Sequence, residues 1–366
     1  MFFLSSLAQQ SIIYALPPRR ITPAVIMLNY LQPMRKYDET KGLAYWLPAI
    51  FIWMINVSPS SAQSSAHTDF DTWCLGRYLI DLPKGTSVAV EYMTKGAKVN
   101  TLTGVSYAQF QDTVAARRQA LNETPHNKGG FMLVDTDTIT RDCITLVSWG
   151  SAAGRRLYHY ETFQYIEEHQ TLYIFAGPGS AGEEQRAHAA SVQRSSYDEL
   201  RYRAPMEIPT EAGFCINEGL IMTSSPNREE YTAVMRLPDY PDVIIALESY
   251  VTNNPGDFSN QKAMPFGLSV AYHVRTKTLR NRSRSIGEAT GREYLTRSRN
   301  KDNGEVIYDF EWKTHGIRGS MNYPYMRLTL RTEGETDSDA HSFADDNETL
   351  KLWDRILNSL RLRPTA

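Results

Sequence analysis

Apolar residues along this chain alternate over short stretches more often than they recur at helical spacing, which predicts a strand-rich protein with few helices. Tyr107, Phe110, Val114 and Leu121 mark the apolar face of a helix over 107–121. Leu350, Trp353, Ile356, Leu357 and Leu360 mark another at the end of the chain. In the first half, a Cys-led strand at 74–82 comes first, and strands follow near 142–149, 157–166 and 171–176, then a helical stretch at 183–197. The second half opens on a strand around Cys215 and continues with strands near 229–236, 242–252, 305–312 and 325–331. Runs of strands closed by helices predict an α+β fold with mainly antiparallel sheets.

The two halves end alike, in Leu200-Arg201-Tyr202-Arg203-Ala204-Pro205 and Leu360-Arg361-Leu362-Arg363-Pro364, 160 residues apart. The opening cysteines, Cys74 and Cys215, are 141 apart, and Trp149 and Trp312 are 163 apart. This spacing predicts two similar lobes, each a mainly antiparallel sheet with flanking helices, forming a clamp-like cleft. The prolines at 205 and 209 break regular structure and place the boundary there. The expected division is an extension plus signal peptide over 1–62, an N-terminal lobe over 63–207 and a C-terminal lobe over 208–366.

Composition adds little to this until the N-terminus is set aside. Residues 1–62 carry five basic groups (Arg19, Arg20, Arg35, Lys36, Lys41) and two acidic ones, leaving 34 basic against 39 acidic, a net of −5. Such a balance offers no general reason to bind nucleic acid. Leu43–Val57 is a mostly apolar run preceded by Lys36 and Lys41 and followed by Ser60-Ser61-Ala62, the pattern of an export segment cleaved near Ala62. The expected location is the periplasm of a Gram-negative bacterium, without stable membrane insertion after cleavage. Of the three cysteines, Cys74 and Cys143 both fall on strands of the first half and form the expected disulfide; three buried thiols are the alternative.

Four patterns touch on chemistry. Gly177-Pro178-Gly179-Ser180-Ala181-Gly182 has dinucleotide-loop spacing between a strand and a helix, but no parallel βαβ partner follows, so a turn is expected. Gly267-Leu268-Ser269-Val270-Ala271 nearly spells a nucleophile elbow, yet Val270, Tyr272 and Val274 alternate as a strand where the elbow needs a helix. Asp337, Asp339, His341, Asp345 and Glu348 have calcium-loop spacing, but Ser342 stands where the turn needs glycine. Asp345 and Glu348 also suit the cap of the last helix. No HExxH or CxxC is present, so neither a metal nor any other cofactor is expected. The fourth pattern is a basic run over 275–301, opposed only by Glu288 and Glu293.

Trp73–Pro83 (WCLGRYLIDLP), GFCINEGLIMTSS at 213–225, RNRSRSIGEATGREYL at 280–295 and YDFEW at 308–312 together resemble the immunity proteins that neutralise type VI secretion lipase effectors, the partners of GxSxG phospholipases. The resemblance covers roughly residues 70–364. In that family the basic region carries an Arg-rich strand and a Gly-x-x-Gly-x-Glu turn. Here the turn reads Gly287-Glu288-Ala289-Thr290-Gly291-Arg292-Glu293, with an extra residue between the glycines. The resemblance implies a non-catalytic protein that binds and inhibits a secreted lipase, with Arg280, Arg282, Arg284, Arg292, Glu293, Arg297 and Arg299 as expected partner-binding residues. The other reading is a periplasmic small-molecule binder using the cleft between lobes.

Overall fold

The Cys-led stretch predicted as one strand is a tight hairpin, β1 (Phe70–Leu75) and β2 (Tyr78–Pro83). Gly76 takes a φ of +58° in its two-residue turn, and a Cβ there would lie 2.7 Å from the Tyr231 ring, so only glycine fits. The computed structural model describes residues 70–223, 228–253, 276–299, 304–332 and 343–366.

The first half continues with β3 (Ser87–Thr94), β4 (Ala97–Thr103), α1 (Tyr107–Glu123), β5 (Leu133–Thr140), β6 (Cys143–Ser151), β7 (Gly154–Ile166), β8 (Thr171–Ser180), α2 (Glu183–Glu199) and β9 (Leu200–Tyr202). The second begins with another two-residue hairpin, β10 (Phe214–Ile216) and β11 (Gly219–Ile221). It goes on through β12 (Glu229–Leu237), β13 (Tyr240–Tyr250), β14 (Lys277–Ile286), β15 (Ala289–Arg299), β16 (Val306–Thr314) and β17 (Tyr325–Thr332). It closes with α3 (Asp346–Ser359) and β18 (Arg361–Leu362).

Twelve long strands and both short β-hairpins repeat one plan. Half of a 12-stranded sheet runs 3-4-8-7-6-5, and the other half runs 12-13-17-16-15-14. Strand for strand, β3 corresponds to β12, β6 to β15 and β8 to β17, and the helices α2 and α3 correspond in turn. The halves meet where the equivalent strands β3 and β12 pair, from Ser87–Arg236 to Thr94–Glu229, with Tyr92 opposite Tyr231. The sheet is antiparallel throughout this junction and on both sides of it. Trp149 and Trp312 are not counterparts, however. Trp149 lies in β6, and Trp312 lies in β16, the counterpart of β7.

The short hairpins are exchanged between the halves. β2 pairs with β18 at the end of the chain, and β11 pairs with β9 at the end of the first half. Leu79 faces Arg361 as Leu220 faces Arg201. Each closing tag repeats one further bond: Arg203 N–H donates to the turn carbonyl of Glu218, and Arg363 N–H to that of Arg77, both at 2.9 Å. The side chains of Arg203 and Arg363 are buried and donate to backbone carbonyls, Arg203 to Ile216 and Arg363 to Pro209 and Gly213. Such bonds meet most of the guanidinium donors that burial strips of water, leaving Arg363 Nε without a partner among the described residues.

The disulfide corrects the expected pairing. Cys74 bonds Cys215, with Cα atoms 6.0 Å apart, and Cys143 is a free, buried thiol. Cys74 lies in a hairpin outside the 12-stranded sheet, whereas Cys143 lies within it in β6, opposite Gln164 of β7. Proximity in sequence misled because the hairpin packs across the junction. Gly76 exchanges backbone hydrogen bonds with Cys215 at 3.1 and 2.8 Å, and Leu79 and Leu220 pack around the disulfide. Arg77 in the same turn donates to the buried Glu229 carboxylate at 2.7 and 2.8 Å, tying the first hairpin to β12.

In the first half, α1 covers one sheet face through Phe110, Val114 and Leu121, packed on Leu146, Phe163, Tyr165 and Leu172. Its start is a capping box, in which Ser106 and Gln109 each bond the other's backbone N–H. In the second half, Leu352, Trp353, Ile356 and Leu357 of α3 enter the larger core with Phe310, Trp312 and Leu328. Among the described residues no helix is long and apolar enough to cross a membrane.

Candidate functional site

β14 ends the order of the long sheet, and its Arg280, Arg282 and Arg284 alternate so that all three project to one side. That side carries α3. Across the hairpin, Glu293 of β15 pairs in register with Arg282 and is fully buried. Its carboxylate accepts from Arg280 Nη1 at 3.2 Å, Arg282 Nε at 3.1 Å, Arg284 Nη1 at 3.2 Å and Trp353 Nε1 at 3.0 Å. Asp354 of α3 accepts two bonds from Arg280, at 2.7 and 2.8 Å, and one from Arg284 at 2.8 Å. Arg284 also reaches Asn358 at 2.7 Å. These bidentate and shared contacts fix α3 against the sheet edge.

The electrostatics follow from this. Burial alone would raise the Asp354 carboxyl pKa, but the hydrogen bonds from Arg280 and Arg284 outweigh it and hold the pKa below the usual range. Hydrogen bonding to Asp354 raises that of Arg280. About two turns away, Asp346 at the start of α3 behaves alike: burial raises its pKa, and bonds from Arg297, Tyr308 and Lys277 bring it lower. Arg297 donates to Asp346 at 3.0 Å.

The expected partner-binding residues therefore separate by location. Glu293 is the buried centre of the network, with Arg280 and Arg284 part-buried around it. Arg282 bonds Glu293 yet keeps 55% of its side chain exposed. Arg292 is exposed and bonds Asn281, and Arg299 is exposed and bonds the Gly304 carbonyl. The solvent-facing members are Arg282, Arg292 and Arg299. Arg297 stands between, half-buried beside Tyr308 and Asp346.

The two glycines of the β14–β15 turn have separate duties. Gly287 has a φ of +55° in the two-residue turn. A Cβ on Gly291 would lie 2.5 Å from Trp312 Nε1, which donates to the Arg284 carbonyl. β15 begins at Ala289, so Gly291 lies within the strand.

The remaining motifs are structural where they are described. Gly177–Ser180 ends β8, which has antiparallel neighbours on both sides, so no dinucleotide crossover exists there. Asp345 caps α3, accepting from the N–H groups of Asn347 and Glu348, while Glu348 accepts from Ala344 N–H. Asp337, Asp339, His341, the Gly267–Ala271 stretch and the segment 1–62 lie outside the described residues. Among the described residues no group of three or more His, Cys, Asp or Glu side chains is placed to hold a metal ion.

Both halves match one family. Residues 71–171 match the N-terminal domain, and residues 207–365 the C-terminal domain, of Tle cognate immunity protein 4. The apo structure of immunity protein TplEi of the type VI secretion system (T6SS) of Pseudomonas aeruginosa is 26% identical. It covers 81% of this chain and 98% of its own, with a TM-score of 0.72. The immunity protein in the Tle4–Tli4 complex is also 26% identical over the same shares, with a TM-score of 0.73. A third structure, TplEi complexed with an "L" peptide, is 25% identical at a TM-score of 0.68. No curated protein matches.

Proposed function

The chain belongs to the Tle cognate immunity protein 4 family, and from that premise we propose that it binds a type VI lipase effector and inhibits it without supplying a catalytic residue. The observation that carries this reading is the match in both halves, supported by a relative solved in complex with its effector. Inhibition acts by denying lipid access: the lobes 63–207 and 208–366 grip the lipase from two sides, at its mouth or at the cap that must open. An interface of that kind buries more than about 1,600 Å². Arg282, held by Glu293, and Arg292 and Arg299, held by Asn281 and the Gly304 carbonyl, form part of its charged rim.

The site of action in this reading is the periplasm. The Cys74–Cys215 disulfide supports it, because such bonds persist in oxidising compartments. The test is direct. A candidate type VI lipase effector is assayed on phospholipid vesicles with and without equimolar protein, and complex formation is followed by size exclusion. Stoichiometric loss of lipase activity is expected. A fully active lipase in the presence of excess protein removes the immunity reading, and capture of a small metabolite without the lipase favours the small-molecule binder.

A further inference from the structure

The 12-stranded sheet has two ends, and they are finished differently. β5 is interrupted by register shifts, between Leu133 and Asp135 and between Thr138 and Thr140. Its two carboxylates, Asp135 and Asp137, are bonded by Arg186 of α2. Bulges of this kind spoil an edge for further pairing. β14 has one shift, between Thr278 and Arg280, and then runs in unbroken register from Arg280 to Ile286. It contains no proline, and Asn281, Arg282 and Ser283 at its middle are exposed.

The turn decides which groups of that edge are free. A two-residue turn makes Ile286 and Ala289 a hydrogen-bonded pair, and such pairs alternate along a hairpin. Arg284, Arg282 and Arg280 therefore direct their backbone groups to β15, and Asn281, Ser283 and Ser285 direct theirs outward. Those three have no backbone bond to another described segment. Beside this row stands Arg282. Its Nε is pinned to the buried Glu293 carboxylate at 3.1 Å, while its two terminal nitrogens bond nothing among the described residues. On that face Arg280, Arg282 and Arg284 meet two carboxylates, Glu293 and Asp354, so one positive charge is left over, at Arg282.

Resting on the immunity reading above, we propose that β14 is the docking edge for an extended segment of the lipase effector, which adds to the sheet as one more strand and sets a carboxylate against Arg282. The outward backbone row supplies the pairing, and the planar fork of Arg282 supplies the choice of partner. An added strand lies about 4.8 Å from β14, so its alternate side chains stand beside Arg280, Arg282 and Arg284. A cation there would face the uncompensated Arg282. A second copy fits no better: its β14 would bring arginines against arginines, and its β5 is bulged with both carboxylates taken. The charge that keeps such strands away is the one that draws an acidic segment in.

Amide hydrogen exchange of the whole protein, followed residue by residue with and without a candidate type VI lipase effector, tests the edge. In the free protein the amides of Asn281, Ser283 and Ser285 should exchange fast, and those of Arg282 and Arg284 slowly. Bound lipase should slow the first three about tenfold or more. Ser283→Pro removes one outward N–H and no bond of the hairpin, so Tm should move by about 2 °C at most while lipase binding weakens about tenfold. Ser283→Ala keeps that N–H and should bind as the wild type does. Arg282→Lys keeps the charge without the fork and should weaken binding about fivefold. A lipase that binds while the three amides stay fast, or that binds Ser283→Pro as tightly as the wild type, overturns the docking edge and leaves the immunity reading intact. Slowing that appears on concentrating the protein alone assigns the edge to a second copy and overturns it too. Where the lipase does not bind, the immunity reading fails, and the heptapeptide acetyl-Thr-Val-Thr-Glu-Thr-Val-Thr-amide decides the edge. Slowing at the same three amides, not given by the peptide with Lys in place of Glu, upholds an acidic-strand site; no slowing removes it.

Discussion

Cys74 and Cys215 hold equivalent positions on two equivalent hairpins, Cys74 opposite Leu79 and Cys215 opposite Leu220, and their disulfide joins the halves at that point. It closes a span of 141 residues. Chain-entropy reasoning gives a long closed loop of this kind about 2–5 kcal/mol of stabilisation. Cys74→Ser with Cys215→Ser should lower the unfolding free energy by that amount in urea, and reductant should do the same to the wild type. An unchanged midpoint under reductant would count against this assignment. Burial pushes the Cys143 thiol up to about 12, so the native protein should resist alkylation and show one thiol only after non-reducing denaturation.

Glu293 is the second test. Its fully buried carboxylate is the common acceptor of three arginines and Trp353. Removing one member of a buried ionic cluster leaves the others uncompensated, at a cost of about 3–5 kcal/mol. Glu293→Gln should therefore destabilise strongly and free α3, seen as lost hydrogen-exchange protection over 346–359. Protection equal to wild type would show that the network does not hold the helix.

The pH dependence has a definite sign. The folded-state pKa of Asp354 lies below its unfolded value. Its contribution is complete above the ordinary Asp range, near pH 4, and is lost as pH falls through the folded value. Asp346 acts in the same direction. Buried Glu229 acts in the other, because burial raises its pKa against the pull of Arg77, so its contribution declines as pH rises through the ordinary Glu range. The stability gap between wild type and Asp354→Asn should thus narrow on acidification from about pH 6 to about pH 2. A gap that stays constant over that range would rule out this titration.

Exposed charges should matter for encounter and not for folding. Arg292→Glu with Arg299→Glu should leave Tm within about 1 °C, since surface changes cost little. Association with the lipase should slow roughly tenfold at low ionic strength, with the difference fading as salt rises. Arg284→Glu, by contrast, should act through stability. Equal association rates for the wild type and the double variant at low salt would place the rim elsewhere.

The origin of these features was only partly readable in the sequence. The helices α1 and α3 were legible because Phe110, Val114 and Leu121, and Trp353, Ile356 and Leu357, sit at helical spacing on buried faces. The duplication was legible in the cysteines and closing tags, which are local and chemically distinctive. The partners of Cys74 and Arg284 were not, because both bonds join segments far apart in the chain. The alternation of Arg280, Arg282 and Arg284 announces one shared face but cannot say whether solvent, a partner or Asp354 lies opposite. The Trp149 and Trp312 spacing was coincidence, since each strand of the set is set by pairing order and not by its last aromatic.

Dividing the chain near residue 206 should be costly for physical reasons. Each half would expose a long unpaired edge, β3 or β12, and each would lose the strand that completes its closing tag. Separately expressed halves should aggregate, and co-expressed halves should recover a disulfide-linked pair by size exclusion. An isolated half that stays monomeric and inhibits the lipase fully would defeat both this expectation and the two-sided grip.

The β3–β12 junction and the Cys74–Cys215 bond together have the form of a self-complementary contact around a twofold axis, with each surface meeting its own counterpart. That is the geometry of two identical subunits, each carrying one cysteine on the axis and lending its first hairpin to its mate. Joining two such copies head to tail makes the pairing intramolecular and frees each copy to change alone. The Arg280, Arg284 and Glu293 cluster beside α3, set against Arg186 of α2 with Asp135 and Asp137, is the divergence that fusion permits. A single repeat restored to one sequence should assemble as a covalent homodimer.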